Sequence, residues 1–228
     1  MRTSSAILLG LWAIAFTAQV SAQGTGTSPT PGFRFSNPSP EDQAEKAAQE
    51  RKDAQVSAQL ATPCRDRIRN RKIMVLIGEE KNGMVQAKQA GYSQHVDAIN
   101  LRLKGLGLRT YTAEEIRRQI AQEEVDAYFK NDPDRALSAS KRMGAQYVLK
   151  GTIASSATRN AMVNLNTVNV AMRFTLSDAG GRPVSSASAT NASYSGSDTS
   201  GMALTLIEER ADEVVAKLYS EYCQNAAR

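Results

Sequence analysis

The chain has one histidine, His95, and two cysteines, Cys64 and Cys223, and only 6% of its 228 residues are aromatic. A catalytic triad or a zinc site draws on His, Cys and acidic partners that so sparse a supply scarcely provides. No serine stands in a nucleophile-elbow setting. His95 comes one residue before the apolar stripe of its helix, near Asp97, and reads as a surface or helix-start residue. Glu79/Glu80, Glu114/Glu115, Glu123/Glu124 and Glu208/Glu209 are neighbours in sequence. Their side chains therefore diverge on a helix or a strand, and they read as solubilising charges and partners of helix dipoles. No catalytic residue, metal ligand or cofactor is expected; an acid pair assembled from distant carboxylates is the enzyme route that this leaves open.

The glycines exclude a second class. In "KGLGL", Gly105 and Gly107 follow a helix and precede a strand, whereas a dinucleotide fingerprint places its glycines after a strand and at a helix start. "NDPD", residues 131–134, has the look of a calcium loop but not its regular spacing of oxygen ligands. Asp132 as N-cap and Pro133 as first helical residue account for it locally.

No apolar run reaches the roughly 20 residues that span a bilayer. The longest, Ala6 to Phe16, follows Arg2 and precedes the small-residue site Val20-Ser21-Ala22, so residues 1–22 read as a secretory signal peptide. No cysteine stands at the cleavage site, so the lipid attachment of a bacterial lipoprotein is not available. The expected product is an exported protein without stable membrane insertion.

What is there begins with the cysteines. An even count in an exported chain points to a disulfide between Cys64 and Cys223, two buried free thiols being the alternative. The net charge is +5, and part of it is gathered in "RDRIRNRK", where Arg65, Arg67, Arg69, Arg71 and Lys72 face one acid. Export and the lack of interleaved aromatics argue against nucleic acid. The run reads either as a solvated lead-in to the first strand or as a surface for an acidic partner.

Residues 23–40 are a flexible Gly/Ser/Pro leader. Residues 41–60 are helix-forming and alanine-rich with few large apolar side chains, which predicts an exposed helix. Residues 64–224 form one α/β domain, and 225–228 a tail. "KIMVLIG" predicts a strand buried on both faces, and Val96, Ile99, Leu103 and Leu106 one face of a helix. "TAEE" is a capping box that opens a helix carrying Ile116 and Ile120. A helix from Pro133 runs to Met143, with Gly144 as its cap and "QYVLKGTI" as the next strand. Alternation from Val168 to Leu176 with the turn "SDAGGRP" predicts an antiparallel hairpin. A long final helix with Ser200 as N-cap carries Leu204, Ile207, Ala211, Val214 and Leu218. The expected fold is thus α/β, a single mixed sheet of parallel strand-helix units and an antiparallel hairpin, covered by helices.

"RLKGLGLRTYTAEEI", "SASKRMGAQYVLKGTIASSA" and "VAMRFTLSDAGGRPVSSASAT" resemble successive steps of a small periplasmic domain. It is the domain of the LpoB-type activators of peptidoglycan synthases, of CsgG and of the amino-terminal part of TolB. The resemblance runs from about Lys72 to Tyr222 and concerns fold, not catalysis. It implies a non-catalytic periplasmic accessory protein of a Gram-negative bacterium that binds another envelope protein and modulates its assembly or activity. A periplasmic binder of a small ligand or glycan, or a cell-wall hydrolase, is the alternative, with the loop from Gly78 to Gly91 as a candidate rim.

Overall fold

A computed structural model describes residues 39–81, 84–130, 132–162, 164–195 and 199–225. The expected signal peptide, the leader up to residue 38 and the tail from residue 226 lie outside the described residues. The elements are α1 (Pro40–Leu60), α2 (Arg65–Ile68), β1 (Lys72–Lys81), β2 (Met84–Gln86), α3 (Ser93–Gly105), β3 (Arg109–Thr110) and α4 (Ala113–Gln119). There follow α5 (Gln122–Phe129), α6 (Pro133–Met143), β4 (Tyr147–Asn160), β5 (Leu165–Asp178), β6 (Pro183–Ser195) and α7 (Thr199–Asn225).

One mixed sheet runs in the order β2-β1-β4-β5-β6, with β3 beside the start of β1. β1 pairs in parallel with β3 and β4, and β4, β5 and β6 form an antiparallel meander. The α/β fold expected from the sequence is the one observed. β1 is apolar throughout because both its faces are covered. Ile73, Val75 and Ile77 join a core built with α3 and α7, while Met74 and Leu76 join a smaller one with Ile116, Ile120, Val125, Ala139 and Met143.

Two glycines are set by close packing. A Cβ on Gly151 would lie 2.2 Å from the ring of buried Phe174 across the β4–β5 ladder. One on Gly78 would lie 2.5 Å from Val85 Cγ1. Gly144 caps α6 in the left-handed conformation, φ 63°, where side chains are strained.

Three expectations change. The predicted helix through Ile116 and Ile120 is two helices, because Ile120 and Ala121 take extended angles between α4 and α5. The break buries Ile120 and turns Val125 into the same core. α7 starts at Thr199, so Ser200 lies inside the helix and does not cap it. Its apolar side is also broader than the expected stripe, taking in Leu206, Val215 and Tyr219, while Leu204 is half-buried.

The α1 helix opens with a capping box of Ser39 and Asp42 and buries no residue. The outer edge of β6 is protected by α7. Glu221 accepts from the Ser186 N–H at 2.9 Å, Arg210 donates to the Thr190 carbonyl at 2.9 Å, and Asn225 donates to that of Val184 at 2.7 Å. These contacts occupy three of the backbone groups, between Val184 and Thr190, that would otherwise template another strand.

Candidate functional site

α2 is a single turn between the foot of α1 and the start of β1, and it is pinned from both sides. Cys64, its N-cap, is bonded to Cys223 near the end of α7, with Cα atoms 5.7 Å apart. The Cys64 N–H donates to the Tyr219 hydroxyl at 3.3 Å, and that hydroxyl donates to the Thr62 carbonyl. On the other side the Asn70 N–H donates to Gly107 O at 2.8 Å, and the Arg109 N–H donates to Arg71 O at 2.8 Å. Ile68 is the one buried residue of the turn and anchors it in the core.

That anchoring turns Arg65, Arg67, Arg69, Arg71 and Lys72 outward, and all five are exposed. Other elements end in the same place. β1, β3 and β4 are parallel, so their amino-terminal ends share one end of the sheet with the carboxyl-terminal ends of α3 and α6, the helices that lead into β3 and β4. Arg109 lies opposite Lys72 in the β1–β3 ladder. Lys104 is in the last turn of α3, and Lys141 and Arg142 in that of α6, where cations answer the helix dipole. The Lys72 ammonium lies 3.8 Å from where a Gly144 Cβ would stand.

Acids at this end are few: Asp66 lies within the basic run itself. Glu124 pairs with Arg142, and Glu115 accepts from its own N-cap residue Thr112. Hydrogen bonds from Thr112 hold the Glu115 carboxyl below its usual range. The outcome is a cationic end drawn from α2, β1, β3, α3 and α6. Sequence reading found its contiguous part. Arg109, Lys104 and Lys141 were missed, although a basic residue in the last turn of a helix before a parallel strand is a usable signal.

Beneath this end lies a void of about 30 Å³ lined by Ile68, Leu106, Leu108, Tyr147, Tyr219 and Tyr222. It is a packing defect with little room beyond a water. Tyr147 and Tyr222 close one wall with hydroxyls 2.9 Å apart. Burial, and then that hydrogen bond, push the Tyr147 phenol up to about 12.

The expected rim from Gly78 to Gly91 is not an open loop. β1 and β2 form a hairpin over much of it, and residues 82 and 83 lie outside the described residues. The Gln89 side chain, buried to 1% exposure, donates to Ile77 O and Ala87 O at 2.8 Å each and so fills the space behind the hairpin.

Lys150, in the glycine-punctuated strand, is half-buried on the sheet face under α5 and α6 and donates to Tyr128 O at 3.1 Å, near the end of α5. Burial lowers its pKa. A hollow of about 210 Å³ opens beside it, lined by Tyr128, Asp132, Ser140, Ser177 and Asp178. Asp132 caps α6 and Asp178 accepts from the Gly180 and Arg182 N–H groups, so both carboxylates are committed to local structure.

His95 stands in the first turn of α3, as expected of a helix-start residue, but it is not exposed. It is half-buried, its Nδ1 has no hydrogen-bond partner, and its ring meets that of Tyr92 edge-on with centroids 5.9 Å apart. Burial lowers its pKa below the usual 6.5, against the pull of Glu79 and Glu208. The native state therefore binds this proton less readily than the unfolded chain does. The resulting stability is whole above about pH 6.5 and is lost as pH falls below it. His95→Gln is expected to flatten the fall in Tm between about pH 7 and about pH 5; parallel curves for the two proteins would refute this.

No protein-family model matches the chain, and no curated protein matches it. Among solved structures it is similar to the PelC dodecamer from Paraburkholderia phytofirmans, with 21% identity, 66% of this chain and 88% of that one covered, and a TM-score of 0.38. It is similar to lipoprotein GNA1162 from Neisseria meningitidis at 16% identity, with 63% and 96% covered and a TM-score of 0.39. It is also similar to the LpoB C-terminal domain from Escherichia coli at 15% identity, with 60% and 91% covered and a TM-score of 0.31. The LpoB-like group that the sequence resembles is thus met again among solved structures; no function is carried over from them.

Proposed function

We propose that this chain is a non-catalytic accessory protein of the periplasm that binds an acidic surface of another envelope protein and modulates its assembly or activity. The observation that carries the reading is the cationic end, where exposed basic side chains from five elements outnumber the acids beside them, Asp66 within the run and Glu124 paired with Arg142. Like charges at that density repel one another unless solvent or an acidic surface answers them. The secretory signal read in the sequence and the disulfide both suit an oxidising compartment outside the cytoplasm. The absence from the sequence of any assembled nucleophile, base and orienting group supports a binding role.

The test has two steps. Photo-crosslinking residues placed at Arg67 and Arg69 of the full chain, expressed in the periplasm, should trap an envelope partner; one at Glu50 on α1 should not. With that partner purified, the association rate should fall as salt rises through physiological strength, where the screening length is about 8 Å. Replacing Arg67, Arg69 and Arg71 together by Ser should slow association about tenfold, flatten the salt dependence and leave Tm nearly unchanged. An unchanged rate in the triple variant would reduce the cationic end to a solvated surface.

A further inference from the structure

The half of the sheet formed by β4, β5 and β6 is covered on one face only. α7 packs over Val168, Val170, Met172 and Phe174. On the opposite face the end of α5 reaches Gly78 of β1, level with Thr152, and among the described residues the side chains of this face from Thr152 onward are half-buried or exposed, none of them buried. The register places three strands of side chains on that open face in rows: Thr152, Arg173 and Ser188; Ala154, Ala171 and Thr190; Ser156, Asn169 and Ala192; Thr158, Thr167 and Tyr194.

Two properties separate this face from an ordinary solvated one. Whereas 22% of the whole chain is charged, Arg173 is the lone charged side chain in these rows, and it is paired with Glu80 at 3.7 Å. The two central rows are also low, with alanines at 154, 171 and 192 flooring a shallow hollow of about 540 Å³ between Ser156, Asn169 and Thr190. Tyr194 stands on the same face at the distal end with 59% of its surface exposed.

The geometry points to a neutral, extended glycan strand as the occupant of this face. Its area decides against a second copy of the chain. Three strands about 4.8 Å apart, over about 27 Å of β4, present about 400 Å². Two such faces stacked would bury about 800 Å², the size of a crystal contact and short of the roughly 1,200 Å² of a stable interface. Of the residue types that anchor protein interfaces it carries only Arg173, which is paired with Glu80, and Tyr194 at its distal end, neither at the centre where such anchors cluster. Near-neutrality removes the attraction for a polyanion that marks the cationic end. At the β6 edge an added strand meets α7 side chains on Val184, Ser186 and Thr190, and along β4 beyond Ile153, where the β1 ladder ends, a strand would pair edge-on and leave the face itself unoccupied.

A glycan matches what remains. Its hydroxyls pair with Ser, Thr and Asn, its ribbon is narrow enough for the alanine floor, and the C–H face of a pyranose stacks on an exposed ring such as Tyr194. A β-1,4-linked chain is extended and flat, whereas an α-1,4-linked one coils away from a flat sheet. This site lies on a different surface from the cationic end and does not depend on the protein partner proposed there.

The test is a titration of the isotope-labelled mature chain with chitohexaose, cellohexaose and maltohexaose, each to about 10 mM, enough to reveal a Kd near 1 mM. Either β-linked sugar should shift the amide signals of Ala154, Ser156, Asn169, Ala171, Thr190 and Ala192 as one set. Tyr194→Ala should weaken binding about fivefold, the scale of one ring stack. Ala171→Arg, which raises the floor on the open side, should abolish binding while Tm is retained, and Arg69→Ser should change nothing. No shifts with either β-linked sugar, shifts centred elsewhere, or an equal response to maltohexaose would overturn the proposal. Failure here leaves the crosslinking test of the cationic end untouched, and success does not require it.

Discussion

Gly151→Ala is expected to destabilise the protein by about 3 kcal/mol, the upper part of the usual range for overpacking a core. The added methyl would lie 2.2 Å from Cε1 and 2.6 Å from Cδ1 of Phe174, whose ring is 2% exposed and walled in by the α7 core. The ring has no open side to move to, and β4 is held between β1 and β5 by backbone ladders, so neither partner yields cheaply. Urea unfolding of the wild type, Gly151→Ala, Phe174→Leu and the double variant measures the effect. The double variant should recover much of the glycine loss because leucine vacates the space of the ring edge. Losses that simply add would show that the two positions do not compete for volume.

Replacing both cysteines by serine is expected to cost about 3–5 kcal/mol. The bond closes a loop of 159 positions, and in the chain-entropy account the effect grows with loop length. The cost should appear in the unfolding midpoint of Cys64→Ser/Cys223→Ser and, to a similar degree, in the wild type under reductant. Local loss should accompany it, because the bond and Tyr219 together hold the entry turn against α7. Thiol titration of the wild type under denaturing, non-reducing conditions should return no free thiol, and near two equivalents would sink the assignment.

The two experiments probe different kinds of information. Gly151 is visible in the sequence as a glycine inside a strand, which signals a bulge or a close approach. That the approach is by Phe174 depends on the register of β4 against β5, which brings together residues 23 positions apart. His95 shows the same limit from the other side. Its place just before an apolar stripe suggested a surface or helix-start position, and its half-burial beside Tyr92 shows only in the folded chain.

Local physical chemistry was legible wherever a few consecutive residues decide the outcome. The capping box at Thr112, the Asp132–Pro133 helix start, the Gly144 cap, the doubly buried β1 and the alternating β5 all follow from side-chain period and backbone preference within one element. So did the contiguous basic run from Arg65 to Lys72. The helix break at Ile120 was not legible, because nothing local forbids the helix from continuing; a core contact rewards stopping it.

Which helices cover which surface, and how far along β4 they reach, was decided by tertiary structure. The hairpin's sequence already showed one apolar face and one of Ser, Thr and Asn, but only the register aligns the Ser and Thr side of β4 with that of β5 and β6 into one surface. Likewise Arg109, Lys104 and Lys141 join the Arg65–Lys72 run because parallel pairing returns α3 and α6, the helices that lead into β3 and β4, to the end where those strands begin. Charge is written in sequence, but its concentration at one end is a consequence of topology.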